Sequence, residues 1–107
     1  MNRQHQINAF TLAAHRMLIA RLREQPVLAE EAWDVLNRWR RQAGAGQHVE
    51  PYWNEWERLL RAGVSELERA VCVDTDDAAT LRSVSPLGRF MSAAERRGLL
   101  RQTRGAA

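Results

Sequence analysis

The chain has 107 residues, 45% of them apolar and 27% charged, with a formal net charge of +3. A chain of this length forms one domain that buries roughly 65% of its unfolded surface, enough for one modest core. No apolar run approaches the ~20 residues that span a bilayer. The lone cysteine, Cys72, excludes an internal disulfide and a cysteine-based zinc site. The polar start, MNRQHQ, lacks the apolar core of a secretion signal, which predicts a cytoplasmic protein.

The first helix is expected from Ile7 to Glu24. At helical spacing Ile7, Phe10, Ala14, Met17, Leu18 and Leu22 share a wide apolar face. His15 stands at the edge of that face and Arg16 points away from it. Such a helix needs cover from later segments. Pro26 ends it, because proline disfavours helix in the residue before it and suits the first turn of the next helix.

The second helix is predicted from Pro26 to Gln42. Leu28, Ala32, Val35, Leu36 and Trp39 share its inner face. Glu30, Glu31 and Asp34 lie early and Arg38, Arg40 and Arg41 late, an order that suits the helix dipole. Trp33 is off the stripe and so faces a third element or a partner. The glycines in Ala43 to His48 mark a loop. A third helix, Pro51 to Ala62, turns Tyr52, Trp53, Trp56, Leu59 and Leu60 to one side and supplies most of the core opposite the first helix.

Gly63 breaks the pattern. Ser65 and Glu68 have capping-box spacing and predict a fourth helix from there to about Val73. The run Asp74-Thr75-Asp76-Asp77 predicts another helix start, with Ala78, Leu81 and Val84 facing inward and Ser85-Pro86 closing the helix near Ser83. Leu87 to Met91 is irregular, yet Leu87, Phe90 and Met91 are apolar enough to pack down. Ser92 and Glu95 form a second capping box that opens a sixth helix to about Gln102. No segment alternates with period two. The fold class is therefore all-α: a compact single-domain bundle of five to six helices, first three long and last three short, with frayed ends at about 1–5 and 104–107.

No catalytic, cofactor-binding or metal-ligating set emerges. His5, His15 and His48 lack the spacing of a metal site. Cys72, beside acids in an apolar helix, reads as a neutral thiol. The acids at 74–77 lack the glycine and terminal Glu of a calcium loop. No glycine-rich loop follows a strand, so an enzyme is not expected. The stretch Leu59 to Val73 contains a string like that of helix-turn-helix turns, but the positions that motif buries would be Arg69 and Cys72. Leu67 and Val71 carry the apolar stripe instead, and Glu66 and Glu68 would repel phosphates.

Charge is uneven at the end of the chain. All sixteen basic residues are Arg, which pairs bidentately with carboxylate and phosphate. From Ser83 onward there are five Arg and one acid, Glu95. These arginines fit a solvated helix face, or a contact surface for an acidic protein or nucleic acid.

Three strings in order carry a family resemblance. They are Leu12-Ala13-Ala14-His15-Arg16, then Tyr52, Trp56, Leu59 and Leu60, then Leu81-Arg82-Ser83-Val84-Ser85-Pro86-Leu87 followed by Ser92, Glu95 and Arg96. Together they resemble a family of small all-helical bacterial proteins with the pattern "LxxHR … LRxxSPF … LSxxER", found as the small partner in toxin–antitoxin modules. Leu87 stands where Phe is usual and Met91 where Leu is usual; both keep an apolar anchor. The resemblance implies a non-catalytic antitoxin that binds and neutralises a cognate toxin. Partner contacts are expected from His15, Arg16, Trp33, Leu87, Arg89, Phe90, Arg96 and Arg97, in a monomer or homo-oligomer. The alternative is a nucleic-acid-binding regulator that contacts operator DNA through the C-terminal arginines.

Overall fold

The computed structural model describes residues 3–43 and 49–105. Among them are six α-helices, one 3₁₀ turn and no strand. These are α1 (Arg3–Glu24), α2 (Val27–Ala43), α3 (Glu50–Ala62), α4 (Val64–Val71), α5 (Asp76–Ser83), the 3₁₀ turn Gly88–Phe90, and α6 (Ala93–Gly105). The expected all-α bundle forms. Most of the predicted Ala43–His48 loop, His48 included, lies outside the described residues, as do the outermost positions of the expected frayed ends.

α1 starts at Arg3 rather than Ile7. Gln4 Nε2 donates to Asn8 Oδ1 at 2.9 Å, a one-turn pair that supports the added turn. The helix packs against α2, α4, α5 and α6. Its second half is thus covered from several directions, and the buried set is Ala14, His15, Leu18, Ile19 and Leu22. Ile19, outside the predicted stripe, is fully buried; Ile7, inside it, is 44% exposed.

Trp56 of α3 is the largest fully buried side chain. Its indole N–H donates to the Leu81 carbonyl at 2.8 Å, so the ring is buried without orphaning its polar atom. Trp53 packs near Trp39 of α2, ring centroids 6.3 Å apart. Tyr52, expected on this inner side, is exposed. Phase is not the reason, since position 52 lies one turn before Trp56 on the same face; Tyr52 stands in the first turn of α3, at the end of the helix.

Gly63 corrects a second expectation. α4 begins at Val64 and Gly63 is its N-cap, so Ser65 caps nothing. The Gly63 N–H donates to Leu59 O at 3.1 Å, closing α3, and its carbonyl accepts from the Leu67 N–H at 3.1 Å, opening α4. This needs φ 113° and ψ 169°, a region open in practice only to glycine. Glu68, freed from capping, pairs with Arg23 of α1 at 3.0 Å.

The later helix starts form as their residues predict. Thr75 Oγ1 accepts from the Ala78 N–H at 3.2 Å. Ser92 Oγ accepts from the Glu95 N–H at 3.1 Å, while the Ser92 N–H donates back to Glu95 Oε1 at 2.8 Å. Between them Ser85 Oγ accepts from the Leu87 N–H at 3.0 Å, and this turn buries Pro86 and Leu87 completely. α6 runs on to Gly105, past the predicted end at Gln102, and so matches the 13 residues of α3.

Candidate functional site

The eight residues expected to meet a partner do not form one surface. His15 and Leu87 are interior, at 5% and 0% exposed. Leu87 is a core anchor and has no face to offer. Trp33 is half-buried on α2, with the Arg61 guanidinium of α3 over its ring at 5.0 Å, so its off-stripe position serves a third element. Arg16 is exposed. Arg89, Arg96 and Arg97 are exposed on the C-terminal segment, and Phe90 is packed against the core.

His15 belongs to a buried polar cluster with Thr11 and Arg82. Its Nδ1 lies 2.8 Å from the Thr11 carbonyl, which only accepts, so Nδ1 carries the proton and Nε2 is the acceptor. Nε2 is buried without a partner among the described residues. Burial lowers the pKa from 6.5 to about 4, with the nearby Arg82 charge adding to that effect against the Thr11 hydrogen bond. The imidazole is therefore neutral at pH 7 and fills space beside Trp56, ring centroids 6.2 Å apart.

Arg82 is the unforeseen member of this cluster. It sits on a short helix, yet its side chain is 3% exposed. Nε donates to Thr11 Oγ1 at 3.0 Å. Nη1 donates to the carbonyls of Val71 and Val73 at 2.8 and 2.9 Å, which finish the otherwise open end of α4. Nη2 is buried without a hydrogen-bond partner among the described residues. Among the described residues no carboxylate forms an ion pair with Arg82. Burial pushes its pKa below the usual arginine range, but a guanidinium stays cationic at any physiological pH.

α6 is held to α1 at its start by one charged clasp. Arg21 pairs with both oxygens of Glu95, and its Nη1 also donates to the Phe90 carbonyl at 2.6 Å. That pairing, ahead of the Ser92 hydrogen bonds, holds the Glu95 carboxyl down at about 2. From there α6 runs back along α1. Arg96 lies over the Phe10 ring at 5.1 Å, and Arg104 reaches the level of Arg3.

Between these elements is a groove of about 390 Å³. Arg3 of α1, Arg82 of α5, and Arg96 and Arg104 of α6 line it, over an apolar floor of Ile7, Phe10 and Leu100. No acidic side chain lines it. Here the predicted C-terminal arginines Arg96 and Arg104 meet residues from the start of the chain. The usable sequence signal was the five Arg to one Glu imbalance after Ser83; nothing in the pattern added Arg3 or Arg82 to that set.

Other sites are not assembled. Among the described residues no three His, Cys, Asp or Glu side chains are grouped to hold a metal ion, and no helix is long and apolar enough to cross a membrane. Cys72 is half-buried, and burial with the Glu68 charge pushes its thiol pKa up, away from reactivity. No family model, curated protein or solved structure matches the chain.

Proposed function

We propose that the protein is a non-catalytic cytoplasmic antitoxin that neutralises a cognate toxin by direct protein–protein contact. Two things support this: the resemblance of the His15, Trp56 and Arg82–Pro86 strings, and the placement of unpaired arginines. Of these, the second carries the reading. Of the ten arginines through Arg69, five form ion pairs: Arg21 with Glu95, Arg23 with Glu68, Arg40 with Glu57, Arg58 with Glu55 and Arg69 with Glu66; Arg3, Arg16, Arg38, Arg41 and Arg61 form none among the described residues. On the C-terminal segment, Arg89, Arg96, Arg97, Arg101 and Arg104 have no ion-pair partner among the described residues. Arginine with apolar neighbours is a frequent source of interface affinity, and a segment whose five arginines are all unmatched steers an oppositely charged partner.

The test is genetic and biochemical. Expression of the adjacent gene alone is expected to arrest growth, and co-expression of this chain to restore it with formation of a complex that co-purifies. Growth arrest that persists on co-expression, with no complex, would overturn the proposal. A complex that also shifts operator DNA would add repression to neutralisation.

A further inference from the structure

We infer that the groove between α1, α5 and α6 is a receptor for an acidic segment of a partner protein, with an apolar side chain seated between carboxylates. The inference rests on the reading of the chain as a partner-binding protein and names what that partner presents.

Charge comes first. Arg3, Arg82, Arg96 and Arg104 converge on about 390 Å³ with no acid among the lining side chains. The adjoining depression beyond Ser83 has no arginine in its lining and is lined in part by Asp76, so the arginine lining stops at that boundary. Four like charges around one concavity repel one another and raise the local anion concentration. Arg3, Arg96 and Arg104 have no ion-pair partner among the described residues, and Arg82 is buried; what sets them apart from the other unpaired arginines is that they share one concavity.

The second observation is Arg82 itself. Its side chain is 97% buried, lines the groove, and leaves Nη2 without an acceptor. A buried guanidinium N–H left unmatched is costly, and a carboxylate oxygen is the acceptor that relieves it best.

The floor decides between protein and nucleic acid. Ile7 and Phe10 belong to the apolar stripe of α1, yet Ile7 stays 44% exposed and Phe10 is only half-buried. With Leu100 they make an apolar base that phosphates do not need. The volume suits one large side chain with flanking groups, the scale of a small-ligand pocket rather than of a duplex. A Leu or Phe between acidic residues one helical turn away satisfies floor and rim together.

The full chain, labelled with ¹⁵N, is titrated with a short helical peptide that carries Glu one turn before and after a central Leu. A peptide with Gln for Glu and a single-stranded and a duplex oligonucleotide are the comparison probes. The acidic peptide is expected to bind saturably, with amide and guanidinium shifts gathered on Arg3, Phe10, Arg96, Leu100 and Arg104. The Gln peptide should bind roughly tenfold more weakly or worse. Arg96→Glu with Arg104→Glu should abolish binding, and Arg3→Gln with Arg104→Gln should weaken it while leaving the fold untouched. Arg38→Glu with Arg41→Glu, an equal charge change on α2, should leave it within about twofold. No saturable binding, equal losses in the α2 and groove variants, or tighter binding of either oligonucleotide at the same residues would each overturn the assignment. A toxin complex that survives the groove variants removes the groove and leaves the antitoxin reading standing. Acidic-peptide binding without any toxin partner does the reverse.

Discussion

Leu18, Ile19 and Leu22 in the C-terminal half of α1 are enclosed, and the charges around them, Arg21 and Arg23, are each matched by a Glu. In the N-terminal half Ile7 lies open, Phe10 is half-covered, and Arg3, Arg96 and Arg104 face one another with no acid between them. The same helix with the same kind of stripe thus ends in two different environments. Packing is completed at one end and left open at the other, where the proposed partner segment sits. His15 and Arg82 stand at the boundary, where a dry interior meets the groove.

The largest effect should come from the closed end. Trp56→Ala removes a fully buried indole and its hydrogen bond to Leu81. Its cost should be about 3–5 kcal/mol by urea denaturation. A loss under about 1 kcal/mol would mean that the centre of the bundle is looser than its burial implies, and the contrast between the two ends would fail.

Next comes the boundary. His15 titrates near 6.5 when unfolded and near 4 when folded. Between those values the unfolded chain binds the additional proton, so stability falls as pH drops from 6.5 to 4 and this contribution is spent below that. The full loss is on the order of 3 kcal/mol. His15→Gln should flatten the curve across this window. A slope unchanged in that variant would assign the acid sensitivity to other groups and take His15 out of the buried neutral cluster.

How far this contrast was legible in the sequence differs by residue. Periodicity placed α1, α2 and α3 to within a few residues, and side-chain chemistry located a helix start within Asp74–Asp77, where Thr75 turns out to be the cap, and the cap at Ser92, because both are local properties. Ser65 was misread because its capping spacing was real but Gly63, one glycine between two helices, had already supplied the turn. His15 looked like an edge residue because a single helical wheel assumes one covered face, whereas α1 is covered by four helices. Arg82 was not foreseen at all. Its burial depends on where the carbonyls of Val71 and Val73 stop, which is a tertiary fact. The same is true of the groove: the C-terminal charge imbalance was visible, but its meeting with Arg3, Ile7 and Phe10 spans nearly the whole chain.

A smaller effect tests the clasp that sets α6 beside α1. Ser92→Ala removes the side-chain cap on the Glu95 N–H and should cost about 1 kcal/mol. Glu95 itself is depressed from 4.5 to about 2, chiefly by Arg21. That stabilisation is present above 4.5 and is lost as pH falls to about 2, a window that meets the lower edge of the His15 window near pH 4 and extends below it. Glu95→Gln should remove the lower window and leave the upper one intact. If both windows vanish together, the clasp and the buried cluster act as one unit, and the groove cannot be separated from the core beneath it.

The smallest stability effect is expected at Ile7, and it is the most discriminating. Ile7 lines the arginine groove and the adjoining depression and is 44% exposed, so Ile7→Ser removes little packing. Its stability should stay within about 0.5 kcal/mol of the parent chain. Leu18→Ala, on the same helix at 2% exposed, should cost about 2–5 kcal/mol. Partner affinity should order them the other way: Ile7→Ser weakens binding several-fold because the floor of the groove becomes polar, while any Leu18→Ala protein that remains folded binds as before. Should Ile7→Ser prove as destabilising as Leu18→Ala, the open half of α1 is ordinary core seen at its edge. Should it be silent in both assays, the floor contributes nothing and the arginines act by charge alone.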